Sequence, residues 1–159
     1  MRITGTNFDI RDIEAADKSG FKQVMCQEET FRSLIDSVPE SIDTLWGVFM
    51  GSSVAVVDKT DTFVGFAHYE AEEDGGDGQF ELVLLNSLDY TGFGKELLPE
   101  ILKYAFEQTG ASAFEVEVSN PKDVSRAIYT ELGYDCNKDK WIYIYRNGII
   151  YDKRSFLQR

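Results

Sequence analysis

Histidine occurs once in the 159 residues, at His68, and cysteine twice, at Cys26 and Cys136. So few soft ligands make no zinc set and two thiols make no disulfide framework, so no metal site is expected. Nothing near Cys136 resembles a His–Asp orienter, so it is read as a small buried residue rather than a nucleophile. No apolar run approaches the roughly 18 residues needed to cross a bilayer. The opening residues carry no signal-peptide core, so a cytoplasmic chain without membrane contact is the expectation. Cations are scarce as well: 16 Lys and Arg stand against 28 Asp and Glu, a net charge of −12. Phosphate contacts need a positive surface, so no nucleic-acid partner is expected. The same charge suits a cationic partner such as a polyamine or a basic peptide terminus, and it also serves plain solubility.

With 159 residues, 43% of them hydrophobic, the chain is long enough to bury one sizeable core. A single domain over residues 1–159 is expected, as a monomer or homodimer. Residues 3–12 (ITGTNFDIRD) have the pattern of a strand, and residues 14–28 and 29–36 of two helical pieces before the break at Pro39. Strands are expected from about residue 48 to 57 and over 63–70, turned by residues 58–61. Residues 71–78 form an acidic, glycine-rich loop, which either attracts a cation or is simply solvated. A β-prone run follows at 80–85 (FELVLL), and a final hairpin at 140–146 and 149–156 turns on Asn147-Gly148. Trp46, Phe49, Trp141, Tyr143 and Tyr145 are expected to pack in the core and at its edges.

Two stretches carry more than architecture. Gly92-Phe93-Gly94 opens a helix over 95–108, closed by Gly110, with Leu97, Leu98, Ile101, Leu102, Ala105 and Phe106 on one face. Strand, glycine turn and helix start can aim amides at an anion, although many such glycine pairs are ordinary turns. Pro99 removes one intrahelical hydrogen bond and is expected to kink that helix or delay its regular part. After a strand at 114–120, Asn120 and Pro121 suit a helix start, Asp123 favours its dipole and Gly133 its end. Ser125 and Tyr129, four apart, project from the same side of that helix.

Together these stretches resemble the GNAT superfamily of acyl-CoA-dependent N-acetyltransferases. Residues 89–94 (DYTGFG) match its R/Q-x-x-G-x-G/A turn, with Asp89 at the position usually held by Arg or Gln. Asn120, Ser125, Tyr129, Gly133 and Tyr134 match its N…[AS]-x-x-x-Y-x-x-x-G-[FY] pattern. The spacing of residues 103–107 (KYAFE) and 115–118 (EVEV) is most similar to the ribosomal-protein N-terminal acetyltransferase branch. The resemblance implies an α/β (α+β by some schemes) fold: a mixed, mostly antiparallel sheet with helices on both faces, in the order β-αα-βββ-α-β-α-ββ.

It further implies acetyl-CoA as co-substrate and direct attack by a primary amine: a peptide or protein N-terminus, a lysine or a small cationic amine. The pyrophosphate would lie on Asp89, Tyr90, Thr91, Gly92, Phe93, Gly94 and Lys95, and the pantetheine arm along the main chain of Leu82, Val83 and Leu84. Asn120 and Ser125 would complete the cofactor set. Tyr129 would protonate the departing thiolate, and Glu115, or Glu81 on the neighbouring strand, would take the amine proton. Neighbouring carboxylates are expected to raise the pKa of one such glutamate. The bland alternatives are a packed phenol, solvated strand glutamates and a packed His68. A carboxylate at position 89 opposes a pyrophosphate by Coulomb repulsion unless amides and Lys95 or Lys122 offset it. The rival to an enzyme is a GNAT-fold binding or interaction module without catalysis. A toxin acting on aminoacyl-tRNA is disfavoured by the charge.

Overall fold

A computed structural model describes residues 1–72, 76–120, 122–135 and 137–152. The chain divides into two compact units, Met1–His68 with Leu82–Leu88, and Tyr69–Glu81 with Asp89–Arg159.

In the first unit the expected opening strand is a hairpin. Strand β1 (Arg2–Thr4) pairs antiparallel with β2 (Phe8–Asp12), and the Gly5 amide donates to the Phe8 carbonyl across the turn. β3 (Ser53–Asp58) pairs antiparallel with β2 and with β4 (Phe63–Ala71), with a bulge between Val56 and Val57. The expected helix over 14–28 is shorter: a 3-10 turn (Ala15–Asp17), then α1 (Lys18–Met25). Arg11 decides that start. Its guanidinium donates to both oxygens of buried Asp17 at 2.8 and 2.9 Å, while Asp17 also accepts from the Glu14 amide. A buried guanidinium needs such a partner, because an uncompensated charge out of water is costly.

α2 (Glu29–Ser37) lies as expected, but residues 41–50 are a helix, α3 (Ser41–Met50), where a strand was expected to begin near residue 48. Ile42, Leu45, Trp46 and Phe49 recur at three- and four-residue spacing and pack on the core, while Val48 on the other side is 61% exposed. The β-branched and aromatic run Val48-Phe49 suggests a strand locally, but the longer period of the apolar positions prevails. Phe21, Val24 and Met25 of α1 meet Ala55, Val57, Phe63 and Phe66 from the sheet, with the Phe21 and Phe66 rings 5.4 Å apart.

β5 (Asp77–Leu84) has its residues 77–81 in the second unit, where residues 77–79 run parallel to β6 (Ala113–Glu117); β6 pairs antiparallel with β7 (Lys140–Arg146), and β7 in turn with β8 (Ile149–Asp152). Asn147 and Gly148 both take positive φ, 52° and 77°, the conformation of the expected two-residue hairpin turn. The expected helix over 95–108 is two helices, α4 (Phe93–Glu96) and α5 (Leu98–Thr109), with Pro99 in the first turn of α5. There a missing amide costs nothing, so the proline delays the regular helix, one of the two expected outcomes. Phe106 of α5 lies 4.4 Å from Phe114 and stacks on Tyr145, making the core of this unit.

α6 (Ser125–Glu131) starts later than the Asn120 cap implied. Asn120 Oδ1 instead accepts from the Lys122 amide, and Asp123 Oδ1 accepts from the Ser125 amide and hydroxyl. Asp123 is nearer the first free amides of this helix, so it satisfies the donors that Asn120 was expected to satisfy. Pro121, Cys136, residues 73–75 of the acidic loop and residues 153–156 of the final strand lie outside the described residues. Among the described residues eight strands are hydrogen-bonded in chain order, β1 to β8, giving a mixed α/β fold on a mostly antiparallel sheet. Among the described residues no helix is long and apolar enough to cross a membrane, and no three His, Cys, Asp or Glu side chains form a metal-binding group.

Candidate active site

Strand β5 ends, the chain turns at residues 89–92, and α4 begins. Tyr90 and Phe93 are buried and meet edge to face at 5.9 Å, so their side chains anchor the turn and leave their backbone as its working part. Gly92 takes φ 87°, and a Cβ placed on it would meet nothing within 4 Å. Its left-handed backbone explains the glycine, and the open space in front is what a phosphate needs to approach the main chain. Gly94 answers to a different constraint. A Cβ there would lie 2.1 Å from the Ile128 carbonyl and 2.7 Å from the Glu131 Cβ, so glycine is what lets α4 seat against α6.

Three amides of the turn are already engaged. Asp89 Oδ1 accepts from the Thr91 amide at 2.9 Å and from the Thr91 hydroxyl at 2.7 Å, and these bonds hold its carboxyl below the usual range. Glu131 Oε1 accepts from the Gly92 amide at 3.0 Å, and the Phe93 amide donates to the Tyr90 carbonyl. Of these donors, the Thr91 and Gly92 amides hold carboxylate oxygens and the Phe93 amide a backbone carbonyl. Asp89 folds inward onto Thr91, so it shapes the turn as well as charging it. Lys95 is exposed.

α6 carries the motif side chains. Tyr129 is 1% exposed, and its ring lies 5.9 Å from that of Tyr134. Ser125, one turn earlier, is equally buried with its hydroxyl committed to Asp123. Arg126 ties the helix to the chain just past β6 by donating to the Val118 carbonyl.

The glutamates belong to strands β5 and β6. The parallel β5–β6 pairing runs from Asp77↔Ala113 to Gln79↔Glu115 and stops there, although both strands continue. Alternation puts Gln79 and Glu81 of β5 on the same face as Glu115 and Glu117 of β6, away from buried Phe80, Phe114 and Val116. Contrary to the expected upward shift, the Glu115 carboxyl is held below its usual range. Lys140 Nζ lies 2.9 Å from Glu115 Oε1, and the Gln79 amide also donates to the carboxylate. A cation at that distance outweighs the neighbouring carboxylates. Beside this face, Glu70, Glu72, Asp77 and Gln79 line an open cleft of about 480 Å³.

In the first unit Leu82 and Leu84 are buried and Val83 half-buried, as expected for core side chains whose interest is their main chain. Gln27 was not anticipated. Its side chain donates to the Leu84 carbonyl at 3.0 Å and accepts from the Asn86 amide at 2.7 Å, clamping the strand end. His68 is buried, with Nδ1 3.0 Å from both Ser53 Oγ and the Phe49 carbonyl, the packed imidazole of the bland alternative. Glu131, Gln79 and Lys140 were missed as well. Each acts through a partner distant in sequence, and nothing in the local pattern signals it.

No curated protein matches the chain in sequence. Solved structures do match in fold: an acetyltransferase from Agrobacterium tumefaciens (15% identity, TM-score 0.62, covering 92% of this chain and 95% of that one). A spermidine N-acetyltransferase chimera from Vibrio cholerae and hSSAT matches at 15% identity and TM-score 0.59, covering 97% and 100%. A Vibrio cholerae protein provisionally described as a ribosomal-protein-serine acetyltransferase matches at 20% identity and TM-score 0.53, covering 84% and 82%. At these identities the likeness is one of fold. The acetyltransferase (GNAT) family model, however, matches residues 13–134, which take in the glycine turn, the β6 glutamates and the tyrosine helix; the chain belongs to the GNAT acetyltransferase family.

Proposed function

We propose that the protein moves an acetyl group from acetyl-CoA to a primary amine by direct attack. The observation that carries this reading is the turn at 89–94, where a left-handed Gly92 open to solvent and a Gly94 pressed against α6 sit within the family match. Residues 89–95, Asn120 and Ser125 would hold the nucleotide part, and the main chain of Leu82, Val83 and Leu84 the arm. Bound there, acetyl-CoA supplies an activated acyl group whose thioester a neutral amine can attack. Tyr129 gives its phenolic proton to the sulfur that departs, so that a thiol rather than a thiolate is released. Glu115 or Glu81 takes the proton that the amine loses. Lys140 weakens Glu115 for that task by keeping it ionised.

A cationic acceptor is supported by the net charge of −12 and by the carboxylates of the cleft beside β5. A polyamine is one such acceptor, in keeping with the spermidine N-acetyltransferase of the same fold. A peptide N-terminus is the other, in keeping with the sequence likeness at 103–107 and 115–118. The reading takes the chain as one catalytic domain over residues 1–159, a monomer or homodimer in the cytoplasm. Acetyl-CoA at about 100 times its dissociation constant should add about 2.7 kcal/mol of stability. Thermal unfolding with millimolar acetyl-CoA, then thiol release over spermidine and free-amine peptides, tests both halves. A flat melting temperature would reject the donor and promote the non-catalytic module.

A further inference from the structure

We propose that Glu131 sets the affinity of the turn for its acyl donor, by keeping its own carboxylate on the Gly92 amide that the donor's pyrophosphate would take. This rests on the acetyl-CoA reading above. The Gly92 amide donates to Glu131 Oε1 at 3.0 Å across 39 residues of sequence, so the contact is made by the fold and not by a local turn. It is also held from behind. Gly94 brings α4 so close to α6 that a Cβ on it would come within 2.7 Å of the Glu131 Cβ, which fixes the root of the Glu131 side chain beside the turn. Of the neighbouring donors, the Thr91 amide is on Asp89 and the Phe93 amide on the Tyr90 carbonyl.

One amide hydrogen serves one anion well. A carboxylate already on it must be displaced before a phosphate oxygen can bind, and once displaced it remains close enough to repel the newcomer. Glu131 therefore acts as a built-in competitor. It lowers affinity for donors that carry a pyrophosphate and leaves the pantetheine part of the donor untouched.

Isothermal titration of the full chain with CoA at low salt compares the wild type with Glu131→Gln. Glutamine keeps an oxygen for the Gly92 amide and nearly the same shape, but removes the charge. The dissociation constant for CoA should fall about three- to tenfold, with the gap closing as salt screens the repulsion. Affinity for pantetheine, which has no phosphate, should not change. Equal or weaker CoA binding by Glu131→Gln, with the wild type binding, overturns the inference and leaves the acetyl-CoA reading intact. An equal gain for pantetheine overturns it too, since the effect would then not be electrostatic at the pyrophosphate. If neither protein binds CoA, the donor reading fails and the inference falls with it.

Discussion

Tyr129 and the two glutamates divide the proposed proton traffic, and each has its own signature. Tyr129→Phe keeps the ring and its packing on Tyr134, so acetyl-CoA affinity should hold while turnover falls by about 10²–10⁴-fold. Steady-state kinetics over acetyl-CoA concentration separates the two, and near-normal turnover would mean that the thiolate leaves unaided. Glu115→Gln should slow the reaction at neutral pH and recover part of the rate as pH rises, because more of the amine then arrives deprotonated. Glu81→Gln is the comparison. If the pH-dependent loss appears in Glu81→Gln alone, the base belongs to β5, and Glu115 serves with Lys140 to hold charge. Neither glutamate's role follows from its place in a strand. Glu115 has Lys140 2.9 Å from its Oε1, a partner brought by the β6–β7 pairing.

Between elements, the junction of α4 and α6 is the tightest constraint near the turn. Gly94→Ala would drive a methyl group into the Ile128 carbonyl at 2.1 Å, and backbone does not give way cheaply. Overpacking of this kind costs about 1–3 kcal/mol, so a clear fall in melting temperature is expected, together with a loss of CoA binding as the turn shifts. Gly47→Ala in α3 is the control. Nothing stands within 4 Å of that position, and removing a mid-helix glycine should stabilise by about 0.5–1 kcal/mol. If both substitutions lowered the melting temperature equally, the close approach at Gly94 would not be what holds the turn.

Across the whole molecule, charge is the dominant variable. With a net charge of −12, repulsion between surface carboxylates opposes the compact state at neutral pH. Raising NaCl from about 0.02 M to about 0.3 M at pH 7 should therefore raise the melting temperature. Acid acts in the opposite sense. Asp9, Asp58, Asp61, Asp89 and Glu115 all have carboxyls held below their usual range, Asp9 chiefly by Lys59 and Asp61 chiefly by Arg11. Groups with depressed folded pKa values contribute stability that is complete above their unfolded values near pH 4, and it is lost as pH falls through the folded ones. Melting curves should hold down to about pH 5 and drop steeply below pH 4. A salt-independent melting temperature at pH 7 would mean that the charges are too widely spaced to repel.

The family and most of the element order were legible in the chain, because glycine turns, Asn147-Gly148 and the apolar period from Leu97 to Phe106 are local signals. Gly92, Gly94 and Tyr129 were legible as a motif for the same reason: φ above zero, a close approach and a four-residue helical spacing are properties of a short stretch of chain. Local signals failed where a longer period competed with local propensity, as in α3, and where a buried ion pair such as Arg11–Asp17 set an element's start. The hydrogen bonding and charge of the candidate site depend on contacts between distant parts of the chain. Glu131 on the Gly92 amide, Lys140 beside Glu115 and Gln27 on the Leu84 carbonyl join residues between 25 and 57 positions apart. Electrostatic energy depends on distance in space, and distance along the chain does not report it.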